Sequence, residues 1–283
     1  MISTETEFFD PACIAESGQM FRFSEKNGEY TFFSKNDAAK IVKSCGKYGI
    51  IIYNIHSSDD SYFQNYFDLG RDYSGIRKRL GAFSQLSEAV AFGRGMRILR
   101  QDPFETLVGF LISQNNHIPR IRGIMERLCE RLGEEREFEG ERYYTFPTPE
   151  RMAREDEDFY REIGAGYRAA YLAQSARRAA ETDFSALERL SDVELREEIL
   201  KFPGVGPKVR DCILLFGFGR EGAFPVDTWM EKVYHERFGG RETDRAKMTA
   251  YFEGLFGDDS GYAQQLLFYH ARKTKNKIGG QPI

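Results

Sequence analysis

Residues Leu200–Gly219, LKFPGVGPKVRDCILLFGFG, admit few conformations. Just upstream, Ser191 and Glu194 have the spacing of a capping box, and Leu190, Val193 and Ile199 make one side of the following helix apolar. Pro203 stops that helix, Gly204-Val205-Gly206 turns the chain, and Pro207 opens the next helix with Lys208 in its first turn. Two glycines around one apolar residue let the backbone approach a partner closely, and the free amides at a helix N-terminus hold anions. The stretch therefore predicts a helix-hairpin-helix whose turn, Gly204, Val205 and Gly206, grips a phosphodiester. A lone GxG would read as an ordinary tight turn; capped helices on both sides are much rarer.

Lys208 is misplaced electrostatically, because the dipole at a helix N-terminus disfavours cations. That field is expected to lower its pKa, and a neutral amine is the form a nucleophile needs. Further along, FPVDTWMEKV (Phe224–Val233) supplies Asp227 at the start of another helix. Asp and Thr are everyday helix caps, and Thr228 with Glu231 is itself a capping-box pattern. In company with the hairpin and Lys208, Asp227 reads as the acidic half of a catalytic pair.

The 283 residues leave room for two domains or one large one. Residues 1–99 contain short β-branched or aromatic segments, GQMFRF (Gly18–Phe23), EYTFFS (Glu29–Ser34), AAKIVKS (Ala38–Ser44) and GIIIYNI (Gly49–Ile55), with Asn27-Gly28 as a type I′ hairpin signal. A helix over Ser57–Leu69 follows. Residues 100–283 are helical in pattern. Asp102-Pro103-Phe104-Glu105 starts one helix, and others are predicted over Pro119–Leu132, Arg168–Ala180, Ser191–Leu200, Pro207–Phe218, Thr228–Phe238 and Tyr262–Arg272, with Glu134–Pro149 as a polar connection. The fold class is α+β: a small antiparallel sheet domain, then a mostly α-helical core.

Composition excludes several functions. Cys13, Cys45, Cys129 and Cys212 lie far apart without a CxxC pair, and His56, His117, His235 and His270 are equally scattered. No zinc finger, iron–sulfur cluster or other protein-built metal site is expected. Free thiols suit a reducing compartment. MISTETEFFD has neither a basic n-region nor an apolar h-region, and no apolar run reaches the length of a membrane span. The expectation is an intracellular protein, cytoplasmic or nucleoid-associated (nuclear in a eukaryote), with no membrane partner. The net charge of −4 does not suggest electrostatic coating of nucleic acid, but acid gathers at Glu150–Glu162 and base at Arg120, Arg122, Arg127 and His270–Lys277. The balance alone decides nothing.

Hairpin, Gly/Pro turn and aspartate in this order resemble the helix-hairpin-helix–Gly/Pro–Asp superfamily of base-excision glycosylases. Within it the chain looks like the 8-oxoguanine DNA glycosylases, through SGQMFRF (Ser17–Phe23), RQDPFETLVGFLISQNNHIPRI (Arg100–Ile121), GAGYRAAYL (Gly164–Leu172), FPGVGPKVRDC (Phe202–Cys212), PVDTW (Pro225–Trp229) and GYAQQLLF (Gly261–Phe268). The resemblance implies a sheet domain beside two helical subdomains, with the active site in the cleft between these. It implies that Lys208 attacks C1′ of a flipped nucleotide, giving a Schiff base and β-elimination, with Asp227 stabilising the sugar cation. A bifunctional glycosylase and lyase follows, with no redox cofactor required.

By the same resemblance, the Gly18 carbonyl accepts from N7–H of 8-oxoguanine, Gln264 reads the Watson–Crick edge, and Phe268 and Cys212 cover the two base faces. Alone, Gly18 would read as a strand-start glycine, and Phe268 and Cys212 as core. Asn115 matches a gap-filling asparagine, Arg120 and Arg168 match contacts to the estranged cytosine, and Tyr167 matches the wedge beside it. Arg120 implies a preference for cytosine opposite the lesion. One departure is Trp229, where many relatives carry a phosphate-contacting histidine; an indole N–H can donate but cannot carry charge. The implied partner is double-stranded DNA containing oxidised guanine, bound by a monomer. The fold admits a structural sodium, potassium or calcium ion at the hairpin carbonyls, which no sequence feature marks. The alternatives are a glycosylase for other damaged purines and a non-catalytic lesion-binding module; the latter would have no use for Lys208 and Asp227.

Overall fold

The computed structural model of the chain describes residues 2–5, 8–43, 49–54 and 61–275. Strands β1 (Ile2–Glu5), β2 (Phe23–Lys26), β3 (Glu29–Ser34), β4 (Asp37–Lys43) and β5 (Gly49–Asn54) form an antiparallel sheet in the order β1-β5-β4-β3-β2. Asn27 (φ 55°) and Gly28 (φ 82°) link β2 to β3 with Lys26 opposite Glu29, the two-residue turn that Asn-Gly predicts. Phe32, Ala39 and Ile41 face a small core completed by Phe63, Tyr66 and Phe67. Within the helix expected over Ser57–Leu69, Ser61–Tyr66 is helical and residues 57–60 lie outside the described ones. Cys45, His56, Ser44, Ile55, Asn276 and Lys277 lie outside them too.

The expected strand Gly18–Phe23 is corrected: only Phe23 joins a strand. Tertiary bonds replace the ladder. The Gln19 amide donates to the Arg97 carbonyl at 2.9 Å and accepts the Leu99 N–H at 2.8 Å. The segment thus ties the sheet to the helical core, beside a buried Arg22–Glu105 ion pair of 3.1 Å.

Glu134–Pro149, expected as a mere connection, holds a second hairpin, β6 (Glu135–Phe138) and β7 (Glu141–Tyr144). Its turn, Glu139 (φ 50°) and Gly140 (φ 79°), repeats the geometry of the first. The acidic run resolves into helices Pro149–Ala153 and Glu157–Glu162, capped by Thr148 and Asp156, with acidic residues in first turns where the dipole favours them. Helices Tyr73–Gly81, Ser87–Phe92 and Arg245–Phe256 were not anticipated from the pattern.

Helix Pro103–Ser113 runs through the larger core: every residue from Phe104 to Ile112 is buried. Asp102 caps it as predicted, accepting the Glu105 N–H at 2.9 Å. Helices Pro207–Gly217, Ile118–Leu132 and Ala169–Ala180 pack against it, and Asp192–Leu200, Thr228–Phe238 and Ser260–Lys275 add their buried faces to the same core. Tyr73, Ile76, Ala89 and Met96 also join this core, so the first hundred residues contribute to both cores. No helix among the described residues is long and apolar enough to cross a membrane.

Candidate active site

Caps and close contacts fix the hairpin. The Ser191–Glu194 capping box is formed, with Ser191 N–H donating to the Glu194 carboxylate at 3.0 Å and Glu194 N–H to the Ser191 hydroxyl at 3.4 Å. Val205 N–H closes the turn on the Phe202 carbonyl at 3.0 Å. Gly204 has φ +84°, and a Cβ on it would lie 2.5 Å from Cγ of Tyr171, so the tyrosine ring rests on bare backbone. Gly206 caps the Pro207–Gly217 helix without a side chain, leaving the first-turn amides of Lys208 and Val209 without a side-chain acceptor.

Lys208 extends over Phe110, with Nζ 5.1 Å from the ring centroid. Phe110 stacks on Phe216 at 5.5 Å and meets Phe21 edge-on at 5.6 Å. Cys212, one turn further along the lysine's helix, is buried and is its side-chain partner. Burial pushes the Cys212 thiol up to about 11, although Lys208 pulls against it, so the sulfur is a thiol at neutral pH. For Lys208 itself, burial pulls the pKa down, the Cys212 sulfur and the Asp227 carboxylate push it up, and the balance is upward. The expected lowering is therefore corrected: the direction is upward, with the Cys212 sulfur and the Asp227 carboxylate acting against burial. Asp227 acts on the ammonium through its charge, and among the described residues the two side chains form no direct ion pair.

Asp227 caps the helix that follows it. Its Oδ1 accepts the Trp229 and Met230 N–H groups, both at 2.9 Å, and so caps the Thr228–Phe238 helix. The Thr228–Glu231 pattern is not the cap; Glu231 pairs with Arg245 at 2.8 Å instead. Oδ2 of Asp227 makes no hydrogen bond among the described residues.

A second cluster adjoins the first. Gly18 takes φ +83°, and a Cβ there would stand 3.3 Å from Cε1 of Phe268 and 3.1 Å from Nη1 of Arg272. Phe268 is half-buried. Gln264 is buried, donating to the Pro225 carbonyl at 3.3 Å and accepting from Gln265 at 2.9 Å. Its amide is thus held two residues before Asp227. Gln264, Phe268 and Arg272 follow one another at i, i+4 and i+8 along one helix face. Sequence reasoning missed Arg272 and Phe110; the i+4 spacing from Phe268 was the available signal for the first.

The remaining predicted residues gather where helix Pro103–Ser113 ends. Asn115 has a positive φ of 46°, and its amide donates to the Tyr167 hydroxyl at 3.4 Å. Arg168 lies over the Tyr167 ring at 4.4 Å and donates to the main-chain carbonyls of Gln114 (2.8 Å), Asn115 (3.0 Å) and Ala165 (3.2 Å). It is buried, so here it braces the Gln114–Asn115 turn. Burial, then the neighbouring Arg120, pull its pKa down. Arg120 is exposed and donates to the Gly164 carbonyl at 3.2 Å; Tyr167 is 56% exposed, and its hydroxyl donates to the Gln114 carbonyl at 3.2 Å. Trp229 is half-buried with Nζ of Lys232 5.6 Å from its ring. Among the described residues no group of three or more His, Cys, Asp or Glu side chains is placed to hold a metal.

Comparison with known proteins identifies the family. Residues 1–107 match the family model "8-oxoguanine DNA glycosylase, N-terminal domain", and residues 108–256 match "HhH-GPD superfamily base excision DNA repair protein". The chain is 33% identical to a probable N-glycosylase/DNA lyase of Methanothermobacter thermautotrophicus over 67% of each protein. It is 33% identical to an N-glycosylase/DNA lyase of Arabidopsis thaliana over 75% of this chain and 61% of that one. In structure it superimposes on the Clostridium acetobutylicum 8-oxoguanine glycosylase/lyase, solved with DNA carrying cytosine opposite 8-oxoguanine, at a TM-score of 0.91 and 37% identity, covering 97% and 99% of the two chains. With hairpin, lysine and aspartate assembled on that framework, the chain belongs to the 8-oxoguanine DNA glycosylases of the helix-hairpin-helix–Gly/Pro–Asp superfamily of base excision DNA repair proteins.

Proposed function

We propose that the protein, acting as a monomer on double-stranded DNA, excises 8-oxoguanine with a preference for cytosine opposite, and then cleaves the strand as an AP lyase. The observation that carries this reading is a lysine amine in the first turn of the hairpin helix, lying over Phe110 and within the electrostatic reach of Asp227. A stacked base hides C1′, so the nucleotide must be flipped. The turn Gly204–Gly206 and the free amides of Lys208 and Val209 hold a phosphate nearby. Because Lys208 rests as an ammonium, a proton passes to Asp227 before Nζ attacks C1′ and the base departs. The adduct opens to a Schiff base; loss of a C2′ proton then expels the 3′ phosphate.

Recognition follows from hydrogen-bond polarity. The Gly18 carbonyl suits the N7–H of 8-oxoguanine and opposes the N7 lone pair of guanine, a mismatch of about 1–3 kcal/mol. Gln264 exchanges its Pro225 partner for the Watson–Crick edge, while Phe268 and Cys212 enclose the base. Asn115 and Tyr167 occupy the gap, and Arg120, with Arg168 bracing the turn, addresses the estranged cytosine. Trp229 offers its indole N–H to a phosphate. A structural ion at the hairpin would share carbonyls already engaged, those of Phe202 by Val205 and of Pro203 by Ser175, and no step depends on it.

Borohydride trapping with an 8-oxoguanine:cytosine duplex tests the reading, beside Lys208→Gln and an undamaged duplex. A covalent adduct for wild type alone, and only with the lesion, is expected. Base release without adduct would make water the nucleophile, and tight binding without release would leave a lesion-binding module.

A further inference from the structure

Arg272 has no part in the reaction as described so far, yet it stands inside the proposed base slot. Its guanidinium carbon is 5.4 Å from the Phe268 ring centroid, Nη1 would be 3.1 Å from a Cβ on Gly18, and Nη2 donates to the Glu16 carbonyl. It is half-buried, and the Asp227 carboxylate is among the charges that act on it. A guanidinium stays protonated in proteins, so this is a permanent cation lodged between the Gly18 turn and the stacking ring.

We propose that Arg272 is a further catalytic residue, which donates to O8 of the flipped base and takes up the negative charge that the base carries away. The proposal rests on the reading of Gly18 and Phe268 as the walls of the base slot. If the Gly18 carbonyl meets N7–H, the acceptors flanking that proton are O6 and O8. O8 is the one on C8, the carbon bonded directly to the N9 whose sugar bond breaks, and it is the one assigned to the Arg272 guanidinium beside Gly18. The chemistry requires such a donor. As Nζ of Lys208 bonds to C1′, the C1′–N9 bond breaks and its electron pair leaves with the base. The anion is shared between N9 and O8 through C8, and a proton from water neutralises it after departure. A cation at O8 gains strength as that charge develops, which is what accelerates a reaction. Guanine has no oxygen at C8, so the interaction also favours the lesion over the normal base.

The test compares wild type, Arg272→Leu and Arg272→Lys in single turnover with enzyme in saturating excess. One substrate is an 8-oxoguanine:cytosine duplex and the other a duplex with a preformed abasic site, from which no base has to leave. Arg272→Leu is expected to slow excision about 30-fold, the range of one charge-assisted bond made in the transition state. Cleavage at the abasic site should stay within about twofold, and Arg272→Lys should recover most of the loss. Equal loss on both substrates would reduce Arg272 to a structural brace. Unchanged or faster excision with tighter lesion binding would make it a mere occupant of the empty slot; either result overturns the proposal. A wild-type enzyme that cleaves abasic sites but leaves 8-oxoguanine in place would instead overturn the reading of the slot, and the role of Arg272 with it.

Discussion

The Lys208 ammonium rests on the face of Phe110, 5.1 Å from the ring centroid, and Phe110 lies parallel to Phe216 within 11°. The ring is therefore part of the nucleophile's environment and not only of the core. A cation over an aromatic face gains about 0.5–2 kcal/mol, and the neutral amine gains none of it. Phe110→Leu removes that preference and lowers the Lys208 pKa. More free amine is then present near neutrality, and the acidic limb of the rate profile moves to lower pH. Adduct yield in borohydride across a pH series reads the shift; an unmoved limb would separate the ring from the nucleophile. The same change loosens a buried aromatic stack, and a stability loss of about 1–3 kcal/mol should appear in thermal melts.

Asp227 caps a helix and its charge acts on the lysine, and two substitutions separate these effects. Asp227→Asn keeps an oxygen for the Trp229 and Met230 N–H groups, so its stability should stay within about 0.5 kcal/mol of wild type. Asp227→Ala loses the cap and about 1 kcal/mol. Both lose the charge, and both should excise about a thousandfold more slowly. A fully active Asp227→Asn would confine the residue to capping.

Much of this arrangement was legible before any coordinates, for local reasons. Asn27-Gly28, Asp102 with Glu105, and Ser191 with Glu194 specify their turn or cap within four residues, and each forms as written. What long-range packing decides was not legible. Gly18–Arg22 is apolar and aromatic enough for a strand, but the Gln19 amide bonds to Arg97 and Leu99 pull it out of the sheet. Glu139-Gly140 lacks the asparagine that marks the first hairpin. The upward pKa of Lys208 is not legible in the sequence: the helix dipole and Cys212 at i+4 can be read there, whereas the approach of Asp227 and the depth of burial are products of the fold.

The contact between Gly204 and Tyr171 leaves no room for a side chain at position 204 of the hairpin turn. Gly204→Ala places a methyl 2.5 Å from Cγ of Tyr171 at a backbone φ of +84°. Both effects oppose folding, together by about 2–4 kcal/mol. Whatever relaxation occurs must displace the turn or the tyrosine, so binding of even undamaged duplex should weaken at least tenfold. Calorimetry and a binding titration at fixed salt check the two effects. Tyr171→Ala combined with Gly204→Ala should recover part of the stability, since the collision is then gone and only the φ strain remains.

Asp211, next to Cys212, accepts from Arg196 at 2.9 Å and from Arg210 at 2.8 Å and is almost fully buried. Burial outweighs both arginines and raises its pKa from 3.8 to about 6. The folded protein therefore binds a proton here more tightly than the unfolded chain does. Its titration favours the native state fully below the unfolded value near 4, and that contribution is lost as pH rises through about 6. The whole effect is roughly 3 kcal/mol at 1.36 kcal/mol per pH unit. Asp211→Asn abolishes the titration. The difference in unfolding free energy, wild type minus variant, should thus decline between about pH 4 and pH 6 and flatten above pH 7. Denaturant melts of the two proteins across that range measure it. A difference that is flat below pH 6 would mean that the two arginines keep the carboxylate ionised, and that pairing rather than burial governs this side of the hairpin helix.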